Sequence, residues 1–196
     1  MDTPAVIAGL GNPGPEYADT RHNTGFRILD ALATRAGATF TSQFRANGAV
    51  AKTTLASRPV WLVKPLTYMN DSGRCVGPYA QFLKIPPENV LVVYDDITLA
   101  TGTVKLTTGG SDGGHNGITS LLQHLPNTFA RFRVGIGGKH WPGQNLADHV
   151  LGKLTFEEQK IITEKLTFYI QGIEIWLTQG LAIAQNLINK KTTPTQ

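Results

Sequence analysis

The chain has 196 residues and a single cysteine, Cys75. One cysteine excludes an intrachain disulfide and any zinc site built from cysteines. Charge is scarce as well: charged residues make up 16% against 41% hydrophobic. That balance excludes a disordered, solvating chain and argues for a compact globule. No apolar run reaches the roughly 18–20 residues that span a bilayer, so no membrane segment is expected. His-x-x-x-His and calcium-loop spacings are absent, and no metal site is expected. No serine is expected to act as a nucleophile on a strand-to-helix elbow. The first residues carry an acid, Asp2, and no basic stretch before an apolar run. Without that secretory pattern, the expected compartment is the cytoplasm. Repeats, low-complexity linkers and shifts in composition are also missing. One domain over residues 1–190 is expected, with a loose tail at 191–196.

What is present is a small excess of cations, a formal net charge of +4. It permits an acidic partner such as nucleic acid without requiring one. The basic residues are scattered singly, among them Arg21, Arg45, Lys64, Lys105, Arg131 and Arg133. Any nucleic-acid contact would therefore use a few cations on a folded surface rather than a basic arm.

Apolar strands alternate with amphipathic helices, the pattern of an α/β domain. Ala5–Leu10 reads as a buried strand. Arg21–Ala36 reads as a helix with Phe26, Leu29 and Ala33 on one face and Gly37 as its stop. Strands are expected at 46–55 and 60–63, with a turn around Ser57–Pro59, and a helix at 72–83. Val90–Tyr94 is β-branched, aromatic and continuous, as a strand buried on both faces should be. Further strands are expected at 103–107 and 132–136, with a helix at 115–125 between them. Thr155-Phe-Glu-Glu158 matches a capping box. It opens a long helix to about Thr178, broken at Gly180 before a last turn or two ending near Asn189.

Gly9-Leu-Gly11-Asn-Pro-Gly14 has the spacing of a dinucleotide-binding loop. Pro13 and Pro15 remove backbone donors where the phosphate-cradling helix should begin. Glu16-Tyr-Ala-Asp-Thr has no apolar helical face, and no second strand ending in an acid follows. The loop reads better as a tight turn that exposes Asn12 at the end of the first strand.

Four segments place polar groups just beyond strands. They are Asn12 with Tyr17, His22 and Asn23; Lys64–Asn70; Tyr94-Asp95-Asp96; and Gly109–Asn116. If the strands are parallel neighbours, all four converge on one rim. A histidine there can take a proton from water, and an aspartate can fix its tautomer and support the imidazolium. Asn side chains can donate to a carbonyl oxygen as it becomes negative. The set suits water attacking an acyl group with no covalent intermediate. The same residues also have plainer readings: Asn12 as a turn residue, Asn70 as an N-cap, and His115 and Asn116 as helix-start groups. Asp96 and Asp112 fit solvated acids, and His124, His140 and His149 fit structural or surface groups. Trp61, Trp141 and Trp176 read as packing residues.

Taken in order, GLGNPGPEYADTRHNTGF, KPLTYMNDSG, VVYDD, GGSDGGHNG and FRVGIG closely resemble the bacterial-type peptidyl-tRNA hydrolase family from Ala8 to about Gly138. The resemblance implies a single α/β domain with a twisted mixed β-sheet flanked by helices on both faces and a helical C-terminal region. It implies a monomer with no cofactor and no obligate protein partner. Its reaction would be cleavage of the ester between a peptide and tRNA. On this sequence the family's base falls on His22 and its supporting acid on Asp95. Asn12 matches the amide that senses acylation of the substrate amine, and Asn70 and Asn116 match substrate-binding amides. Tyr17 and Tyr68 match groove-lining positions, and Lys105 and Arg133 match residues that grip the tRNA's 5′-terminal phosphate. Departures fall at Thr98, where an acid is usual, at Thr107, where a lysine is common, and across Gly138–Gly143. The alternative is a non-catalytic RNA-binding relative, which would not need His22, Asp95, Asn12 and Asn70 together.

Overall fold

The computed structural model describes residues 3–191 and not the side chain of Lys191. Seven strands form one sheet: β1 (Ala5–Gly9), β2 (Thr41–Gln43), β3 (Gly48–Leu55), β4 (Arg58–Pro65), β5 (Val90–Asp96), β6 (Val104–Thr108) and β7 (Ala130–Gly135). Their order is β2-β3-β4-β1-β5-β7-β6. The central strands β4, β1, β5 and β7 run parallel, and β2, β3 and β6 add antiparallel edges. This is the mixed sheet expected. All seven residues of β5 are buried, which explains its unbroken apolar sequence.

Helices cover both faces. On one, α1 (Thr24–Arg35), α5 (Phe156–Glu164) and α6 (Leu166–Lys191) place Ile28, Leu32, Ile162, Tyr169, Ile173 and Trp176 against Ile7, Leu91, Val93 and Phe132. On the other, α2 (Ser72–Phe82) and α3 (Asn116–Leu122) place Val76, Ala80, Ile118 and Leu121 against Val6, Ala8, Val90 and Val92. The odd and even residues of β1 and β5 thus serve opposite cores, as the period of a strand demands. A last short helix, α4 (Leu146–Leu151), follows β7.

Several boundaries differ from the sequence reading. The helix expected from Arg21 begins as a single 3-10 turn, Arg21–Asn23, and becomes α-helical only at Thr24. The hairpin turn falls at Ala56-Ser57, both with positive φ, and not around Ser57–Pro59. The long helix from Thr155 is two helices with a joint at Lys165, and Gly180 interrupts the second at φ 80, ψ 175. The last helix runs to Lys191, and residues 192–196 of the expected tail lie outside those described. Strand β2 and helix α4 were not legible, being three and six residues long.

One glycine sets the seat of α1. A Cβ on Gly25 would lie 2.4 Å from the Val93 carbonyl and 2.5 Å from Leu10 N. Only a glycine lets the first turn of α1 rest on the ends of β1 and β5. That contact carries the preceding turn, with His22, over the sheet's carboxyl edge.

Candidate active site

Three of the four polar segments leave the carboxyl ends of parallel strands: Asn12 after β1, Tyr68–Asn70 after β4, and Asp95-Asp96 at the end of β5. The fourth does not. β6 runs antiparallel to β7, so Thr108 lies opposite Ala130 at the far end of the sheet. Residues 109–114 climb back across the sheet face to deliver His115. Arg131 pins this loop from below, donating to the carbonyls of Ser111 at 2.6 Å and Gly110 at 3.2 Å and to Asn127 Oδ1 at 2.6 Å.

At the meeting point Asp95 is 1% exposed and lies between two imidazoles. His22 Nδ1 is 2.9 and 3.0 Å from its two carboxylate oxygens, and His115 Nε2 is 3.1 Å from Oδ1. His115 Nδ1 accepts from the backbone N–H groups of Gly117 and Ile118 at 3.2 and 3.3 Å, capping α3. With Nδ1 committed as an acceptor, the His115 proton sits on Nε2 and points at Asp95. Burial alone would raise the Asp95 carboxyl; His22, then His115, outweigh it and hold the group well below the usual carboxylate range. An ionised carboxylate only accepts, so His22 carries its proton on Nδ1. Its Nε2 makes no hydrogen bond among the described residues and opens on the cavity.

Arg21 anchors the turn that carries His22. Its guanidinium grips Glu158 through both oxygens, at 3.2 and 2.8 Å, and donates to the His149 carbonyl at 3.3 Å. Glu158 also closes the capping box with Thr155, which forms as the sequence suggests. Burial would raise the Glu158 carboxyl, but the Thr155 backbone and Arg21 lower it overall.

Asn12 is held at three points. Its backbone N–H and carbonyl pair with the Asn23 side chain at 2.8 and 2.9 Å, and its Oδ1 accepts from Met69 N at 2.8 Å. With Oδ1 occupied, the orientation of the amide is fixed. Its Nδ2, which makes no hydrogen bond among the described residues, is the edge left for a ligand.

A cavity of about 890 Å³ joins these groups. Its lining includes Asn12, Tyr17, His22, Tyr68, Asn70, Asp95, Asn116 and Arg133. Tyr17 and Tyr68 meet edge to face, 6.4 Å between centroids. Asn70 and Asn116 are exposed at the rim; Asn70 caps no helix, that place falling to Tyr68 and Asp71. Leu146, Val150 and Leu151 of α4 close one side with an apolar wall.

Of the basic pair, Arg133 lines the cavity and Lys105 does not, although the two lie opposite each other on β7 and β6. Arg133 Nε donates to Asp96 Oδ2 at 2.7 Å. Asp96 is therefore not the solvated acid its sequence suggested: it is 8% exposed, and its Oδ1 accepts from Thr98 N and Oγ1. Trp141 is corrected in the opposite sense: it is 59% exposed rather than packed, whereas Trp176 is buried.

His115 and Arg131 are the site residues that sequence reasoning undervalued. The available signal was position, His115 opening a helix after a glycine-rich loop. Its use depends on Asp95, twenty residues away in the chain. The spacing rules likewise do not see that donor atoms of His22, Asp95 and His115 lie within 4.8 Å of one another, a set a divalent ion could use. His22 Nδ1 and His115 Nε2 are the nitrogens that donate to Asp95. An ion between them would displace both protons and free the ring that Asp95 orients.

Comparisons with known proteins match the chain over nearly its full length. The family model described as peptidyl-tRNA hydrolase matches residues 6–196. A peptidyl-tRNA hydrolase of Desulfitobacterium hafniense (strain Y51) is 44% identical over 186 residues, 94% of this chain and 99% of that protein. One from Bacillus subtilis (strain 168) is 43% identical over 187 residues, 95% and 98% of the two chains. The crystal structure of peptidyl-tRNA hydrolase from Acinetobacter baumannii superposes with a TM-score of 0.90 at 35% identity, covering 96% of each chain.

Proposed function

The chain belongs to the peptidyl-tRNA hydrolase family, and on that premise we propose that it cleaves the ester between a peptide and the terminal ribose of tRNA, with His22 as general base. The observation that carries the assignment is the His22 Nδ1 to Asp95 hydrogen bond, which leaves Nε2 free at the cavity wall. His22 Nε2 takes a proton from a water molecule as its oxygen attacks the ester carbonyl. Asp95 holds the ring and supports the imidazolium that forms. The carbonyl oxygen becomes negative as the new C–O bond forms, and amide N–H groups of Asn70 and Asn116 at the rim are suited to receive it. The bond to the ribose oxygen then breaks, and that oxygen takes the proton back from His22. Peptide and tRNA leave.

Asn12 selects the substrate. Its Nδ2 donates to the carbonyl of the peptide's last amide, which an aminoacyl-tRNA lacks. An aminoacyl-tRNA places an ammonium there, with nothing to accept the bond. Tyr17 and Tyr68 flank the groove, and Lys105 and Arg133 present cations to the tRNA's 5′-terminal phosphate. The reaction runs in the cytoplasm, where the substrate is made, and the enzyme works as a monomer. A binding module alone would have no use for a buried carboxylate that fixes a histidine tautomer. The test is cleavage of N-acetyl-aminoacyl-tRNA compared with free aminoacyl-tRNA, without added nucleotide. Cleavage of the blocked substrate with the free one spared supports the assignment. Equal cleavage of both, or of neither, refutes it.

A further inference from the structure

The three residues of the 3-10 turn Arg21–Asn23 are all buried, and each holds a different element. Arg21 grips Glu158 on α5, His22 is bonded to Asp95 on β5, and Asn23 reaches Asn12 in the loop after β1. Asn23 stands at the N-cap of α1, where an asparagine ordinarily turns its oxygen back onto the first N–H groups of the helix. Its side chain makes no such bond. Its Oδ1 accepts from Asn12 N at 2.8 Å and its Nδ2 donates to the Asn12 carbonyl at 2.9 Å, so the amide pairs with Asn12 as a neighbouring strand would. Both partners are backbone groups, which fixes which way the amide faces.

The main chain offers Asn12 no hydrogen-bond partner among the described residues. The sheet bonds of β1 end with Leu10 N on the Val93 carbonyl at 2.9 Å, and Pro13, next in the chain, has no N–H to give. The Asn12 backbone is therefore held by the Asn23 side chain, and the Asn12 amide by Met69 N on its Oδ1 at 2.8 Å. These two tethers together fix the direction of Nδ2. With the first removed, the amide can pivot about the second. We propose that Asn23 is a positioning residue for substrate selection: it sets the Asn12 backbone so that Asn12 Nδ2 meets the carbonyl of the substrate's last amide. The proposal rests on the substrate and the role of Asn12 assigned above. It also gives the selecting amide and the base a common mount, because Asn23 and His22 are adjacent in one buried turn.

The test replaces Asn23 with Ser, which can cap α1 but is too short to bridge both backbone groups of Asn12. The ratio of kcat/KM on N-acetyl-aminoacyl-tRNA to that on aminoacyl-tRNA should fall about five- to a hundredfold, chiefly through the blocked substrate. Both rates come from one preparation, so any unfolded fraction cancels in the ratio. In an Asn12→Ala background no amide remains to be aimed, and Asn23→Ser should change the ratio by less than about twofold. The pH profile on the blocked substrate should keep the parent's midpoint, because the His22–Asp95 bond is not touched. A second readout needs no turnover: the Asn12 backbone N–H should exchange with solvent about three- to tenfold faster in Asn23→Ser, with the amides of Ile28–Leu32 in α1 unchanged. A ratio within about twofold of the parent's, an equal fall in both rates, the same fall in the Asn12→Ala background, or unchanged exchange at Asn12 would each overturn the proposal. A parent that cleaves neither substrate, or both alike, fails the ester-cleavage assignment instead, and the exchange rate then still reads whether Asn23 holds Asn12.

Discussion

Replacing Asp95 with Asn probes the site through hydrogen-bond direction alone, because size and shape barely change. Asp95 accepts from two rings, His22 Nδ1 and His115 Nε2. An asparagine offers one accepting oxygen and one donating nitrogen. His115 cannot turn its proton elsewhere without abandoning the two backbone N–H groups its Nδ1 caps. It therefore keeps the amide oxygen at the Oδ1 position, 2.9 Å from His22 Nδ1, and puts the amide NH₂ at the Oδ2 position, 3.0 Å from the same nitrogen. A donor at that position opposes the proton on His22 Nδ1 and favours the tautomer protonated on Nε2, in which the base lacks the lone pair that would receive the water's proton. The same kind of exchange in serine-protease triads lowers kcat about 10⁴-fold. With no buried charge left to support the imidazolium, a loss of about 10²–10⁴-fold is expected here. The assay is single-turnover cleavage of N-acetyl-aminoacyl-tRNA, with tRNA affinity measured separately and expected to hold. A second variant isolates the cause. His115→Asn keeps an N-cap acceptor for α3 but is too short to hold Asp95. In that background the amide introduced by Asp95→Asn is free to turn its oxygen to His22, so the substitution should cost much less than it does alone. A rate for Asp95→Asn within about tenfold of the parent, or an equal loss in both backgrounds, would refute the tautomer argument.

Four further outcomes follow from the geometry. Asn12→Asp should narrow the ratio of rates on N-acetyl-aminoacyl-tRNA and aminoacyl-tRNA at every pH, because a carboxylate attracts the ammonium and repels the carbonyl; equal losses on both substrates would place discrimination elsewhere. Arg133→Ala should weaken tRNA binding more than Lys105→Ala, since it also leaves the buried Asp96 unpaired, and adding Asp96→Asn should recover part of the loss; equal effects would count against this. The salt dependence of tRNA binding should be shallow, and each of those alanines should reduce its slope by about one unit at most. Burial lowers the His149 pKa, with Arg21 and His140 adding to the effect and the Gly137 carbonyl and Glu158 opposing it. The unfolded chain then takes this proton first, so the contribution of His149 is complete above about pH 6.5 and is lost as pH falls below it. His149→Phe should flatten the fall in Tm on acidification from pH 7 to 5; an unchanged slope would assign the acid sensitivity to other groups.

The sequence and the structure agree where the signal is local. Val90–Tyr94 announced a buried central strand, and Thr155–Glu158 announced a helix start; both are there. The polar segments could be grouped because each follows a strand, and the carboxyl edge of parallel strands is where such groups meet. What was not legible was relational. Nothing in Gly109–His115 says that β6 is antiparallel and that the loop must climb the sheet to bring His115 to Asp95. Glu158 reads as a capping residue, yet it also holds the arginine beside the base. Asp96 and Trp141 were misjudged for the same reason: whether an acid is paired or a ring is covered depends on elements distant in the chain.

The central claim is that His22 is the base. Its most direct test is the rate of N-acetyl-aminoacyl-tRNA cleavage by the parent and by His22→Ala across pH, with tRNA affinity measured alongside. The parent's rate should rise with pH, as general-base catalysis requires. His22→Ala should be about 10²–10⁴-fold slower, keep its tRNA affinity and lose that rise. A variant within about twofold of the parent, or one that keeps the parent's pH profile, would contradict the account.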